Sequence, residues 1–212
     1  MPYHEIMYDN GYEGGQVIGD YVMGLIDPTI DISNKPELQD KVFDVTSFWI
    51  GVTFKGEIPD FVKLYIEEED ENEEQPDLLA NPVSWLIFSE RLVDYAYPLI
   101  KKDVQIFDPP IYKKSDGSKV QGYKLINPIR NIDCLDLEKT KITRREDGSI
   151  KFCSKIFIKE DCVGDHHIFR FKGYFPPIIL SDKLAKGIRK KGFKGMAFLR
   201  CGVSNAEHQN IT

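Results

Sequence analysis

One six-residue order occurs twice in this chain, and it constrains the fold more than any other feature. Ile87-Phe88-Ser89-Glu90-Arg91-Leu92 and Ile179-Leu180-Ser181-Asp182-Lys183-Leu184 both run apolar, apolar, Ser, acid, base, Leu. Two apolar residues ahead of a serine suit the end of a strand. A serine followed by an acid suits the start of a helix, because the hydroxyl accepts from a first-turn N–H and the carboxylate faces the positive end of the helix dipole. A helix-compatible stretch follows each copy, then a short apolar run: Val104-Gln105-Ile106-Phe107 in the first and Met196-Ala197-Phe198-Leu199 in the second. The prediction is a strand, a Ser-capped helix and a returning strand, used twice at a spacing of 92 residues. Two copies are too few for a solenoid, so the expectation is an old duplication within one compact fold.

Strands are predicted around these units wherever β-branched and aromatic residues gather. Such runs are Val42-Phe43-Asp44-Val45-Thr46, Trp49-Ile50-Gly51-Val52-Thr53-Phe54, Phe61-Val62-Lys63-Leu64-Tyr65-Ile66 and residues 122–126. Asp108-Pro109-Pro110 stops the strand before it, while Asp116-Gly117 and Asp147-Gly148 favour the positive backbone angles of tight turns. Residues 1–31, rich in Tyr, Gly and Asp, read as an irregular arm leading into short strands, with Tyr3, Tyr8, Tyr12 and Tyr21 docking on the body or on a partner. Trp49, Phe54, Trp85, Phe157, Phe169 and Phe171 sit in strand-like runs and are assigned to the core. The fold class is α+β: a mixed, largely antiparallel sheet with a few helices.

Charge divides the chain. Residues 1–130 carry 24 acids against 12 bases, net −12, and residues 131–212 carry 10 against 16, net +6, giving the formal −6. The two parts either attract each other within the fold or form two differently charged binding faces. The acids concentrate at Glu67, Glu68, Glu69, Asp70, Glu71, Glu73 and Glu74, with Asn72 the one interruption, and a block of that density repels itself out of any core. It is solvated, or it meets something basic. No apolar run approaches the roughly 18 to 20 residues of a membrane-spanning helix. The N-terminal residues carry acids and a His where a signal peptide needs a basic start and an apolar stretch, so the expected compartment is the cytoplasm. Cys134, Cys153, Cys162 and Cys201 include no CxxC pair and read as reduced thiols, mostly buried.

Enzyme-like chemistry has one candidate cluster: Asp133 and Asp136 on one side, His166 and His167 on the other, with Cys162 upstream. Thiol, imidazole and carboxylate are ligand types for zinc or iron, and His is the acid-base group that titrates near neutral pH. The spacing fits no metal motif, and on a strand adjacent histidines point to opposite faces. No metal or other cofactor is therefore expected. Residues 183–194, with Arg189-Lys190-Lys191 at their centre, are basic enough to touch phosphate, but an acidic pI near 5.3 is unlike that of a nucleic-acid binder. No Gly-rich phosphate loop or GxSxG elbow occurs.

At Asn127-Pro128, Asp133-Cys134-Leu135-Asp136 and His167-Ile168-Phe169-Arg170-Phe171, the sequence resembles a bacterial immunity-protein family, the eleventh in the usual listing and formerly a domain of unknown function. Ile178 through Leu184, followed by Gly192-Phe193-Lys194-Gly195-Met196-Ala197-Phe198, is similar to that family's ending. The resemblance covers roughly residues 85–199 and consists of structural signatures: Asn127, Asp133, Asp136, Phe169, Arg170, Ser181, Asp182, Gly192 and Gly195. Residues 1–84 are expected to form a variable region packed on a family-like domain of residues 85–212. Arg170 is expected either to pair internally with Asp133 or Asp136 or, equally, to be solvated at the surface. The resemblance implies a protein encoded beside a polymorphic toxin that binds and blocks it in the producing cell. The expected function is toxin neutralisation by stoichiometric protein–protein interaction, with no catalytic residues and a protein toxin, such as a nuclease, as partner. The rival expectation is a small hydrolase or metal-dependent enzyme centred on Asp133, Asp136, His166 and His167.

Overall fold

Both Ser-centred segments fold as their order predicts, and their connectivity organises the chain. The computed structural model describes residues 2–8, 22–23, 51–55, 58, 62–66, 76–81 and 84–204. In it, Leu86–Ser89 (β5) leads into helix α1 (Glu90–Ile100) and then Val104–Phe107 (β6), while Tyr174–Ser181 (β14) leads into helix α2 (Asp182–Lys190) and then Met196–Ser204 (β15). The Ser89 and Ser181 hydroxyls accept from the N–H groups of Leu92 and Leu184, each at 3.3 Å. In both units the returning strand runs parallel to the first without pairing with it, because one antiparallel strand lies between them. Tyr123–Pro128 (β8) separates β5 from β6, and Tyr3–Tyr8 (β1) separates β14 from β15.

Two larger sheets grow from these cores. Leu78–Leu79 (β4) completes a four-stranded sheet in the order β4-β5-β8-β6. A six-stranded sheet has the order β12-β15-β1-β14-β13-β9, where β9 is Asn131–Ile132, β12 is Phe157–Lys159 and β13 is Ile168–Phe171. A smaller sheet joins Val22–Met23 (β2), Leu64–Ile66 (β3) and Ile111–Lys113 (β7), and Lys141–Arg144 (β10) pairs with Ile150–Lys155 (β11) as a hairpin across the predicted Asp147-Gly148 turn. The outcome is the mixed, largely antiparallel α+β architecture expected, with two α-helices among the described residues.

The apolar runs at the unit entrances are continuous because both of their faces are buried. Leu86 and Phe88 join Leu92, Val93, Ala96 and Ile100 of α1 in one cluster, whereas Ile87 points the other way, to Trp85, Leu125, Leu64 and Ile111. Ile178 and Leu180 enter that first cluster with Leu184, Ala185 and Ile188 of α2, and Ile179 points away to Phe169, Phe171 and Tyr3. The two helices and one face of each sheet thus share a core, in which each large side chain contributes about 1.5–3 kcal/mol of burial. The helices meet at Gly187, where a Cβ would overlap the Tyr95 hydroxyl.

Three local expectations are corrected. Residues 3–8 are no irregular arm but a six-residue strand at the middle of the large sheet, with Tyr3, His4 and Ile6 buried. Gly51, Val52, Thr53 and Phe54 are not in a strand. Side chains satisfy their backbone in place of a ladder: Gln105 bonds both the N–H and the carbonyl of Phe54, while Asn127 donates to the Val52 carbonyl and Asn131 to that of Gly51. In the 61–66 run the strand begins at Leu64. Of the aromatics assigned to the core, Trp85, Phe169 and Phe171 are buried, and Phe54 and Phe157 are half-buried. Trp49, Tyr12, Tyr21 and residues 42–46 lie outside the described residues.

Candidate functional site

The polar cluster around the first cap begins at a residue the sequence did not single out. Asp77 is fully buried beside the start of α1. Its Oδ1 accepts from Ser89 Oγ at 2.5 Å and Arg91 Nε at 2.6 Å, and its Oδ2 accepts from Arg91 Nη2 at 2.7 Å and the Lys194 N–H at 2.8 Å. Burial alone raises the Asp77 carboxyl, but the hydrogen bonds from Arg91, Ser89 and Lys194 outweigh it and hold it below its ordinary value. Main-chain bonds complete the joint, since the Asp77 and Leu78 N–H groups both donate to the Lys194 carbonyl. This explains Gly195: its φ is +86°, and a Cβ there would lie 2.6 Å from the Leu78 carbonyl oxygen. Gly192, with φ +71°, ends α2 in open space. The cap of the first unit is thereby locked to the helix exit of the second.

The second cap uses histidines. The Ser181 hydroxyl lies 2.7 Å from His167 Nδ1, and Asp182 Oδ1 lies 3.0 Å from Nε2 of the buried His4. Burial lowers the His167 imidazole below its ordinary value, with Lys183 and Lys102 acting in the same direction. A hydrogen bond from Lys186 and, after burial is set against it, one from His4 hold the Asp182 carboxyl low. His166 turns elsewhere: its Nδ1 is 2.7 Å from the buried Asp103, whose Oδ1 also accepts from Arg130 Nε at 3.2 Å.

The structure therefore does not bring the enzyme candidates together. His166 is held by Asp103 and His167 by Ser181, while Asp133 is exposed. Asp136 folds its own turn, Oδ1 accepting from the Glu138 and Lys139 N–H groups at 3.0 and 3.1 Å. Among the described residues no ion pair joins Arg170 to Asp133 or Asp136, the pairing expected as one alternative from the sequence. Arg170 is instead buried on β13 beside Asn131 and Gly51, where burial draws its guanidinium down to about 10. Asn127, wholly buried, ties β8 to Val52 and Gln105. The four cysteines are free, Cys162 exposed and the others buried, with burial pushing the Cys134 and Cys201 thiols up to about 12. Such thiols stay protonated and unreactive. No group of metal-ligating side chains converges among the described residues. The acidic residues Glu67, Glu68, Glu69, Asp70, Glu71, Glu73 and Glu74 lie outside the described residues.

Several of the matched signatures are thus joints of a scaffold: the capping Ser181, the close-approach Gly195, the buried amide of Asn127 and the turn-forming Asp136. Residues 13–203 match the model of the Immunity protein family (Imm11), and the chain belongs to that family. The match begins well before residue 85, so the family's pattern takes in most of the N-terminal region too. No curated protein matches the chain. No helix among the described residues is long and apolar enough to cross a membrane.

Proposed function

We propose that this chain neutralises a cognate bacterial toxin of a polymorphic toxin system by stoichiometric binding, in the cytoplasm of the producing cell and with no chemistry of its own. Membership of an immunity-protein family over residues 13–203 carries this reading. It is supported by the way His4, Asp77, Asp103, Asp136, His166 and His167 each serve an internal bond. The proposed contact is Glu67, Glu68, Glu69, Asp70, Glu71, Glu73 and Glu74, as part of a partner-specific surface lying before residue 85. A nuclease toxin needs a basic cleft to hold phosphates, and seven acids in eight residues are suited to steering into it.

Where the neighbouring reading frame encodes a toxin domain, co-expression with it should rescue growth, and calorimetry should give one-to-one binding. Continued killing without measurable binding overturns the reading. Replacing Glu67, Glu68, Glu69, Glu71, Glu73 and Glu74 with Gln should slow association by about 10-fold or more at low salt and flatten its salt dependence. An unchanged rate returns the run to a solvated loop. The two Ser-capped units are further proposed to descend from one duplicated unit, which their shared split connectivity supports; opposite crossover hands on superposition count against it.

A further inference from the structure

A groove opens where β11 parts from the large sheet. β12 pairs with β15 in parallel, Phe157 opposite Gly202, Ile158 opposite Val203 and Lys159 opposite Ser204. Extended backwards, that register would set Lys155 opposite Arg200 and Ser154 opposite Leu199. Instead the last link is the Gly202 N–H donating to the Ile156 carbonyl at 2.8 Å, and the preceding residues peel away to pair with β10. The wedge left behind has a volume of about 270 Å³, lined by Ser154, Lys155 and Phe157 on one side, Leu199 and Arg200 on the other, and Glu5 of β1. The Phe157 ring closes its narrow end, lying so close on Gly202 that a Cβ there has no room.

The β15 edge in this wedge has unused backbone among the described residues. Because the Gly202 N–H points away from β1 and the β1–β15 register is unbroken, alternation turns the Arg200 N–H and carbonyl the same way. At Phe198 the row ends under Arg189, which donates to the Phe198 carbonyl at 3.3 Å. The charge around the opening is one-sided. Residues 139–159 carry seven bases against two acids. Lys155 and Arg200 are exposed, and Lys141 stands directly across from Lys155, where like charges destabilise a sheet until an acid joins them. Leu199 is exposed beside them, and Glu5, whose carboxyl burial holds above its ordinary range, disfavours an acid inside the groove itself.

We propose that this wedge receives a short extended segment of the protein partner, which pairs with the Arg200 backbone, places an apolar side chain between Phe157 and Leu199, and sets acids against Lys141, Lys155 and Arg200. This is strand addition to an open sheet edge, with main-chain bonds supplying affinity and alternate side chains the specificity. It rests on the toxin-binding reading for the partner's identity. A volume below the roughly 300–1,000 Å³ of small-molecule sites favours side chains over a metabolite.

Short peptides alternating Val with Glu, Val with Ser or Val with Lys, titrated against the full chain by fluorescence anisotropy, test it. The Glu series should bind about tenfold tighter than the Ser series and lose that margin as salt rises. Combining Lys155→Glu with Arg200→Glu should reverse the preference towards Lys peptides. Arg200→Pro, which beyond the side chain lost in Arg200→Ala removes an outward N–H, should weaken binding beyond Arg200→Ala at unchanged melting temperature; should the proline variant unfold, the absence of any gain in Arg200 amide protection on peptide binding in the parent overturns the pairing. Equal binding of all three series, indifference to charge reversal, or displacement by an oligonucleotide in place of the Glu peptide overturns the proposal. The cognate toxin separates the two readings: binding parent and charge-reversed chain equally well removes the wedge alone, and binding neither removes the toxin reading.

Discussion

The two helix starts share a serine and a geometry but are secured by opposite chemistry. Ser89 is backed by a buried carboxylate that accepts from a guanidinium and a distant main-chain N–H, whereas Ser181 is backed by an imidazole whose protonation burial disfavours. The backbone solution is common because any helix start must satisfy its orphan N–H groups. What surrounds the cap is free to differ, so a shared local pattern says little about how each unit responds to mutation or pH.

The largest expected contrast is between the acids at the two caps. Asp77→Ala should cost about 3 kcal/mol in urea unfolding, because it strips partners from Ser89, Arg91 and the Lys194 N–H together. Asp182→Ala, whose carboxylate lies nearer solvent, should cost about 1 kcal/mol. Equal losses would erase the distinction. Next come the serines: Ser89→Ala should cost about 2 kcal/mol and Ser181→Ala about 1 kcal/mol, since only the first also removes a donor to a buried carboxylate.

The smallest effect separates the units by pH. His167 sits below its ordinary value near 6.5, so its contribution is fully present above that pH and fades as pH falls through the lower folded value. Asp77 is likewise depressed, so its contribution is present above about pH 4 and is lost only as pH falls further, through the folded value. Between pH 7 and 5, hydrogen exchange at the Leu184 amide should therefore quicken relative to that at Leu92 once corrected for intrinsic rates, and His167→Gln should abolish the difference. Parallel behaviour at both amides would mean that His167 does not govern its cap.

What was legible in the sequence was local. Ser89 with Glu90, Ser181 with Asp182, and Asp147 with Gly148 each carry their structural meaning within a few residues, and each formed the element predicted. The insertion of β1 between β14 and β15 was not legible, because pairing over that separation leaves no local signature. Gly51 to Phe54 have strand-like composition but take side-chain bonds from Gln105, Asn127 and Asn131, residues far along the chain. Asp77 stands three residues past the acidic block and carries no motif of its own; the apolar Leu78 and Leu79 after it are the one hint that it turns inward. Asp133, Asp136, His166 and His167 resembled a site because their types suit one, yet residue type does not determine convergence.

The position of β1 also bears on how the molecule comes into being. Residues 3–8 leave the ribosome well before their partners on either side, residues 178–181 and 196–201. The centre of the large sheet therefore cannot assemble until those later residues are made, and a nascent chain must carry Tyr3, His4 and Ile6 unsheltered until then. Folding of this sheet is governed by long-range closure and belongs to the slower, high-contact-order regime. On the proposed reading, protection against a toxin would lag synthesis of this protein, and a cell making both would gain by keeping a standing stock of the finished fold.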